Sequence, residues 1–374
     1  MKLLFVVTGV GLGHSVRDHT IIQQILEIDK DIKIHVAAFD TAYQYFKDKY
    51  PTTKIFGLKL PEEEFNFSLF KTFLKNWNFV YIWVRSFLRL RKLVKQFKPD
   101  KIVIDFEPVA VWVARWYNIK HLTLFNYNPF VFNRYRQKNE VGKEQLIETK
   151  YFQKTYNWVK GRKIVPTFFS YKRLDSYFLI PPIVRTYPNQ LAKNINIMNR
   201  LKLKQSPILV MLGGSKLGLE LVEGISNVAK DFKEQFIIFG TKDFETENVT
   251  SFKFNPDFLE YLKICKGIIT LGGHNTLSEL LVFKKPALIY PIPNYIEQIL
   301  NAYSFKIRKI AIVKQLDAVD QKEIKKHLKQ FIGKLDFLQK NLDLLKVRRN
   351  GAKIAAELIL KKTKIGANQL DGDS

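Results

Sequence analysis

Four clusters of glycine and reactive side chains in this 374-residue chain each follow directly on a short apolar run. The first is Gly9-Val10-Gly11-Leu12-Gly13-His14, after the run at 3–8. Glycines there let the backbone approach a ligand, and a helix starting at the loop offers its N-terminus to an anion. His14 places an imidazole, which titrates near neutrality, where a general base would stand. It would equally cap the helix or contact phosphate. A dinucleotide fingerprint needs glycine where this chain has His14. Asp40, after the next apolar run, does sit where a ribose-binding acid would, so a dehydrogenase stays open. The second cluster is Asp105-Phe106-Glu107-Pro108. A carboxylate there can orient a base or a substrate hydroxyl, but Asp ahead of Glu-Pro also starts helices. Glu107 is the better functional candidate and Asp105 the better helix cap. The third, Gly213-Gly214-Ser215-Lys216, offers bare N–H groups and a hydroxyl to an anion. The fourth is Leu271-Gly272-Gly273-His274-Asn275-Thr276-Leu277-Ser278-Glu279. Its glycines clear side chains from the place where a diphosphate can lie on a helix N-terminus. Glu279, three residues after Thr276, shares its helix face and can reach a ribose diol. Thr276-x-x-Glu279 is also a capping-box pattern.

The elements that must position these clusters alternate in type. Strands are expected at 3–8, 32–38, 101–104 and 122–125, with helices at 19–28 and 109–117. The same grammar restarts at 208–212 and continues with strands at 236–239, 267–270, 287–290 and 311–313. Such alternation makes a parallel sheet with crossover helices, and ligands bind outside the carboxyl ends of its strands. The expected fold class is therefore α/β, with two Rossmann-like domains facing each other across a cleft. Pro181-Pro182 and the polar stretch to Gln205 mark the linker. The first domain is expected to cover 1–185 and the second 186–361. A closing helix at 334–360 is able to pack back on the first domain, and 362–374 is expected to be a flexible tail.

The charge balance is unusual: 61 Lys and Arg against 35 Asp and Glu give +26. A chain this basic calls for an anionic partner, whether nucleic acid, an anionic membrane or a phosphorylated substrate. Its single cysteine, Cys265, rules out an internal disulfide and a multi-cysteine metal site, and fits a reducing compartment. Glycines interrupt the first apolar run too early for a signal peptide, and no run reaches the roughly 18–20 residues of a membrane span. Residues 65–94 interleave Phe70, Phe73, Trp77 and Trp83 with Lys75, Arg85 and Arg89. At helical spacing these form a wide apolar face rimmed by cations, the profile of a helix lying in an anionic membrane interface. The alternative is a helix whose aromatic face packs on the first domain. A second basic, aromatic stretch at 130–173 has the same two readings.

The pattern Gly272-Gly273-x-x-Thr276-x-Ser278-Glu279, with Lys285-Pro286-Ala287, Pro291 and Glu297-Gln298-x-x-Asn301-Ala302, closely resembles the donor half of inverting nucleotide-sugar glycosyltransferases of GT-B fold. Within them it is most similar to family 28, the MurG-like enzymes, and to the subunits that make dolichol-linked chitobiose. The loop with Gly9, Gly11 and Gly13 ahead of His14 resembles that family's acceptor-side motif. The resemblance implies His14 as catalytic base, with Gly213, Gly214 and Ser215 lining the cleft. It implies that the backbone at Phe254 reads a uracil edge and that Gly273 and Thr276 hold the diphosphate. Glu279 would then bind the ribose, and Glu297 and Gln298 the sugar hydroxyls. His274-Asn275 departs from the small, apolar residues of MurG, which leaves a phosphate contact by His274 open.

The implied activity is transfer of N-acetylglucosamine from its UDP donor, with inversion, to a polyprenyl- or dolichyl-diphosphate-linked sugar. A peripheral protein on the cytoplasmic face of the cell membrane would carry it out, as a step of protein N-glycan assembly. No Asp-x-Asp stands at a strand end of the second half, so neither a metal nor a cofactor beyond the UDP-sugar substrate is expected. Other functions stay open: transfer to a diacylglycerol or a soluble aglycone, UDP-sugar epimerisation, or basic nucleic-acid binding. Against the last, no recognisable nucleic-acid-binding module is present, and nucleic acid is not the expected partner.

Overall fold

The N-terminal apolar run becomes β1 (Lys2–Val7), buried from Leu3 onward, as a central strand covered by helices on both faces must be. It is followed by α1 (Gly13–Ile28), β2 (Lys33–Ala38), α2 (Asp40–Phe46), β3 (Thr52–Lys54), α3 (Phe79–Phe97), β4 (Lys101–Asp105), α4 (Pro108–Trp116), β5 (Lys120–Leu124), α5 (Pro129–Arg136), β6 (Arg162–Pro166), β7 (Lys172–Arg173) and β8 (Tyr177–Ile180). The second half runs α6 (Ile195–Arg200), β9 (Ile208–Met211), α7 (Leu219–Ala229), β10 (Phe236–Phe239), β11 (Phe244–Glu245), β12 (Val249–Phe252), α8 (Phe258–Ile264), β13 (Gly267–Thr270), α9 (His274–Phe283), β14 (Ala287–Ile289), α10 (Ile296–Lys306), β15 (Ala311–Val313), α11 (Gln321–Ile332), α12 (Leu335–Leu344) and α13 (Gly351–Leu360). This computed structural model describes all residues except 59–73, 139–140, 144, 148, 151–153, 155–160, 175–176, 192–194, 213–217, 241–243, 254–256, 317, 348–350 and 361–374.

Two sheets result, ordered β3-β2-β1-β4-β5-β6-β8-β7 and β11-β12-β10-β9-β13-β14-β15. Every pairing is parallel except β7 with β8 and β11 with β12 at the edges. Two registers matter for function. β1 lies against β4 with Val7 opposite Asp105, so the loops after both strands leave the sheet side by side. β13 lies between β9 and β14, which brings the loop before α9 to the loop before α10. The domains meet through an apolar cluster in which Phe125, Phe132, Val165 and Leu179 pack with Ile296 and Leu300.

Three expectations change. The stretch 334–360 is two helices, α12 and α13, not one. α13 leaves the second domain: Ala352, Ala355 and Ile359 pack with Ile21, Ile25 and Ile180 of the first. Gly351 permits the crossing, because a Cβ there would lie 2.2 Å from the carbonyl oxygen of Pro181. Lys101 Nζ donates to the Ile359 carbonyl at the far end of α13, a cation where helix carbonyls lack partners. Second, α3 packs one side on the first domain: Ser86, Leu90, Leu93 and Val94 are buried, and the half-buried Trp83 and Phe87 pack on the same core. Its other side leaves Val80, Tyr81, Val84 and Leu88 exposed, and Trp77, just ahead of the helix, is exposed as well. Phe70 and Phe73 lie outside the described residues. Third, β3 and β6–β8 join the first sheet and β11–β12 the second, as short strands without a clean alternation in sequence. Among the described residues no helix is long and apolar enough to cross a membrane.

Candidate active site

The side-by-side loops after β1 and β4 bring His14 and Arg17, three residues apart on α1, onto Asp105. His14 Nδ1 lies 3.0 Å from Asp105 Oδ1. Arg17 Nη2 donates to both oxygens of Asp105, at 2.6 and 2.7 Å. Asp105 accepts when Nδ1 carries the imidazole proton, and Arg17 Nη2 also lies 3.1 Å from that nitrogen. The imidazole is 18% exposed, whereas Arg17 and Asp105 are 2% and 1% exposed. Burial alone would push the Asp105 carboxyl up. The Arg17 guanidinium and the His14 ring outweigh it and hold Asp105 well below the usual carboxylate range. Behind them Asp18 is fully buried, and burial together with the Asp105 charge pushes its carboxyl well above the usual range. Phe106 has φ +52, a costly left-handed conformation for an aromatic residue, and its ring stacks 6.2 Å from that of His14.

The network crosses the cleft. Arg17 Nη1 donates to Asn126 Oδ1 just beyond β5, and Asn126 Nδ2 donates to Glu297 Oε1 in the first turn of α10 at 3.0 Å. A second bridge runs from Asn275 Nδ2 to the Gly13 carbonyl, at 2.6 Å. The glycine-rich loop of the first domain therefore faces the N-terminus of α9. That helix has Gly273 as N-cap and no side-chain cap, so its first-turn N–H groups are available to a ligand. A Cβ on Gly273 would meet nothing within 4 Å, whereas one on Gly272 would lie 2.5 Å from the Gln298 carbonyl oxygen. Gly272 is needed for packing, and Gly273 borders open space. Because α9 begins at His274, Thr276 is its third residue and not its cap. The capping box does not form.

Several expected donor contacts are engaged within the protein. Glu279 is buried and accepts from Arg185 Nε at 2.8 Å; Arg185 lies in the segment joining the domains. Gln298 Oε1 accepts from the Gly272 and Ile292 backbone N–H groups at 3.2 and 3.1 Å, so it ties the two donor-side loops together. His274 is buried, stacks 4.7 Å from Phe168, and donates from Nε2 to the Pro166 carbonyl across the domain boundary at 3.1 Å. Burial pushes its imidazole down to about 3, so it is a neutral interdomain tie rather than a phosphate-binding cation. Gly213, Gly214, Ser215 and Phe254 lie outside the described residues. Among the described residues no three His, Cys, Asp or Glu side chains gather as a metal site.

Glu107, favoured over Asp105 in sequence, is the N-cap residue of α4, while Asp105 makes the His14 contact. The two swap because β4 extends through Asp105 and the strand end faces α1. Burial pushes the Glu107 carboxyl up to about 8. The folded protein therefore keeps a proton that the unfolded chain releases near the ordinary glutamate value. This contribution to stability is complete at acidic pH and is lost as pH rises through about 8. Glu107→Gln is expected to flatten that decline by on the order of 3 kcal/mol, measured by urea unfolding between pH 5 and 9. An unchanged pH dependence in the variant would contradict it.

Sequence reasoning missed Arg17, Asn126 and Arg185. Arg17 had a signal, its i+3 spacing from His14. Asn126 stands next to a strand end that carries no glycine, and Arg185 finds Glu279 only through the fold.

Comparisons with known proteins agree with this architecture. The family described as Glycosyl transferase family 1 matches residues 1–332. An uncharacterized glycosyltransferase of Methanosarcina mazei is 24% identical over 344 residues, 81% of this chain and 82% of that protein. The UDP-N-acetylglucosamine–N-acetylmuramyl-(pentapeptide) pyrophosphoryl-undecaprenol N-acetylglucosamine transferase of Clostridium botulinum is 30% identical over 171 residues, 42% of this chain and 48% of that protein. The chain thus spans about half the length of two of the curated relatives it matches, 46% and 48%. The crystal structure of Acinetobacter baumannii MurG superposes with a TM-score of 0.62 at 15% identity, covering 96% of this chain and all of that one (100%), a likeness of fold. Two parallel-sheet domains and a match through residue 332 assign the chain to glycosyl transferase family 1: it is a glycosyltransferase of GT-B fold.

Proposed function

We propose that this protein transfers a sugar, N-acetylglucosamine from UDP-N-acetylglucosamine, with inversion to a hydroxyl of a polyprenyl- or dolichyl-diphosphate-linked sugar at the cytoplasmic membrane face. The observation that carries the reading is the hydrogen-bonded chain His14–Asp105–Arg17–Asn126–Glu297, which joins a base in one domain to the donor-side helices of the other. The Clostridium relative, named for N-acetylglucosamine transfer to a pyrophosphoryl-undecaprenol acceptor, supports the donor and acceptor classes. Its similarity also supports a place near the MurG-like branch.

In this mechanism Asp105 holds the imidazole so that Nε2 takes the proton of the acceptor hydroxyl. The hydroxyl oxygen forms a bond to the anomeric carbon as the bond from that carbon to the diphosphate breaks, and UDP leaves with the electron pair. The α9 N-terminus and Thr276 stabilise the charge developing on the leaving group, and no metal is needed for that task. Glu279, on α9 itself, would receive the ribose, with Arg185 fixing its carboxylate.

The two donor-loop glycines separate folding from binding. Gly273→Ala is expected to leave the unfolding free energy unchanged and to weaken UDP binding about tenfold, by crowding the phosphate path. Gly272→Ala is expected to cost about 1–3 kcal/mol of stability, because backbone must move to admit its methyl group. Isothermal titration with UDP and urea unfolding check the pair. Equal UDP affinity in Gly273→Ala and the parent would remove the diphosphate from α9.

Membrane contact rests on the exposed side of α3. Trp77, just ahead of α3, is 78% exposed, and on the neighbouring α4 Trp116 is 69% exposed with its ring against Phe87 of α3, and Trp112 is also exposed. Arg85 and Arg89 hold their guanidinia over the Phe56 ring at 4.3 and 4.5 Å beside this face. Such an aromatic surface rimmed by cations fits an anionic bilayer interface. Replacing Trp77, Trp112 and Trp116 together by Ser is expected to reduce flotation with phosphatidylglycerol liposomes at least tenfold. Unchanged flotation would remove the membrane from the account.

The assay of the whole reading is UDP release with a panel of UDP-sugars and polyprenyl-diphosphate-linked acceptors. The highest turnover is expected with UDP-N-acetylglucosamine, and only when acceptor is present. Interconversion of UDP-sugars without acceptor would make the protein an epimerase instead.

A further inference from the structure

Past Glu297 the groove between the domains continues along α10. Its narrow inner part is walled by Asn126, Pro166, His274, Glu297 and Asn301. Its roomier outer part shares Asn128, Val131, Thr167 and Ser304 with the inner one and opens between α5, β7 and the residues just past α10. Three cations from these three places line the outer part: Arg134, Lys172 and Arg308. Among the described residues no carboxylate pairs with any of them.

Aromatic faces hold two of these cations without neutralising them. The Arg308 guanidinium lies 3.6 Å from the Phe169 ring centroid, and Lys172 Nζ lies 4.2 Å from that of Phe130. Burial and the Arg134 charge push Arg308 down to about 10, the mark of a cation crowded by its like. Tyr303 lines the same pocket, and its buried hydroxyl has no hydrogen-bond partner among the described residues. Crowded cations and an unmatched hydroxyl are both satisfied by one kind of ligand, an anion rich in acceptor oxygens.

We infer that this outer pocket binds the phosphate-bearing end of the acceptor, with Arg134, Lys172 and Arg308 on phosphate oxygens and Tyr303 donating to one of them. The inference rests on the lipid-diphosphate reading of the acceptor given above and names its binding site. From Glu297 to the end of α10 at Lys306 is roughly 14 Å of helical rise, and Arg308 lies just beyond that end. An acceptor anchored at Arg308 thus presents a short glycan toward Glu297 and His14, and a longer glycan overshoots them.

The test is binding of geranyl diphosphate, a soluble tailed diphosphate, to the full chain with UDP saturating the donor site. Wild type is expected to bind it, and Arg134→Gln/Arg308→Gln to bind it at least tenfold more weakly, with geraniol weak for both. UDP affinity and melting temperature are expected to be the same in both proteins. Lys172→Gln, at the rim, is expected to weaken geranyl diphosphate alone and guards against a folding defect in the double variant. Equal affinity of wild type and the double variant for geranyl diphosphate overturns the pocket. Phosphatidylglycerol vesicles that displace geranyl diphosphate place a lipid headgroup there and overturn the acceptor assignment; vesicles that leave it bound support it. A wild type that binds geranyl diphosphate but not UDP contradicts the donor reading and leaves the pocket supported, so the two failures are told apart.

Discussion

His14→Ala is expected to lower kcat by about 10²–10⁴-fold while the KM for the donor stays within about threefold. The imidazole is placed to take a proton from the acceptor, so its loss falls on the chemical step. Its contacts with the rest of the network are Nδ1 to Asp105 and Nδ1 to Arg17 Nη2, and the charged pair behind it survives the substitution. Urea unfolding is accordingly expected to change little. Asp105→Asn tests the same point differently. An amide oxygen can still accept from Nδ1, but an amide nitrogen in its place would leave Nδ1 unprotonated and turn the proton toward the cleft. A large fall in kcat with a folded protein is expected there too. Full activity in His14→Ala would remove the base from the mechanism.

Arg17→Leu is expected to cost about 3–5 kcal/mol of stability, a larger effect than any other single substitution considered for this chain. Arg17 is fully enclosed and donates twice to Asp105 and once to Asn126. Removing it leaves the Asp105 carboxylate buried against only the His14 ring, and leaves Asn126 without its Oδ1 partner. Arg17→Met/Asp105→Leu removes both charges and is expected to recover most of the loss, although without activity. A single Arg17→Leu variant within 1 kcal/mol of the parent would show that the pair does not hold the site together.

Strand–helix alternation made the two α/β halves and the strands β1, β2, β4, β5, β9, β10, β13, β14 and β15 legible in sequence, because buried parallel strands are continuous apolar runs, whereas the interior strands β6, β8 and β12 were not read. Short edge strands such as β7 and β11 carry no such run. The split of 334–360 was hidden because α12 and α13 are both amphipathic and the residues between them hold no proline; what separates them is Gly351 passing against Pro181. In the candidate site, the place of His14 and Gly273 at the loops facing the cleft was legible from type and spacing, and that of Glu297 from the family resemblance. Asp105 was undervalued and Glu107 overvalued because the chain turns sharply at Phe106, φ +52, so that Glu107 leaves the strand and becomes the N-cap of α4 instead of following Asp105 toward α1. Gln298 and His274 were assigned to the ligand, but their hydrogen bonds close the protein's own loops and domains. Only the fold tells an inward polar side chain from one facing a substrate.

The most direct test of the central claim is a crystal structure of the protein soaked with UDP. The diphosphate is expected within hydrogen-bonding distance of the first-turn N–H groups of α9, beside Thr276, with the ribose at Glu279 and the open phosphate end toward His14. UDP bound outside the cleft, or in the cleft with its phosphates turned away from Gly273 and His14, would contradict the account.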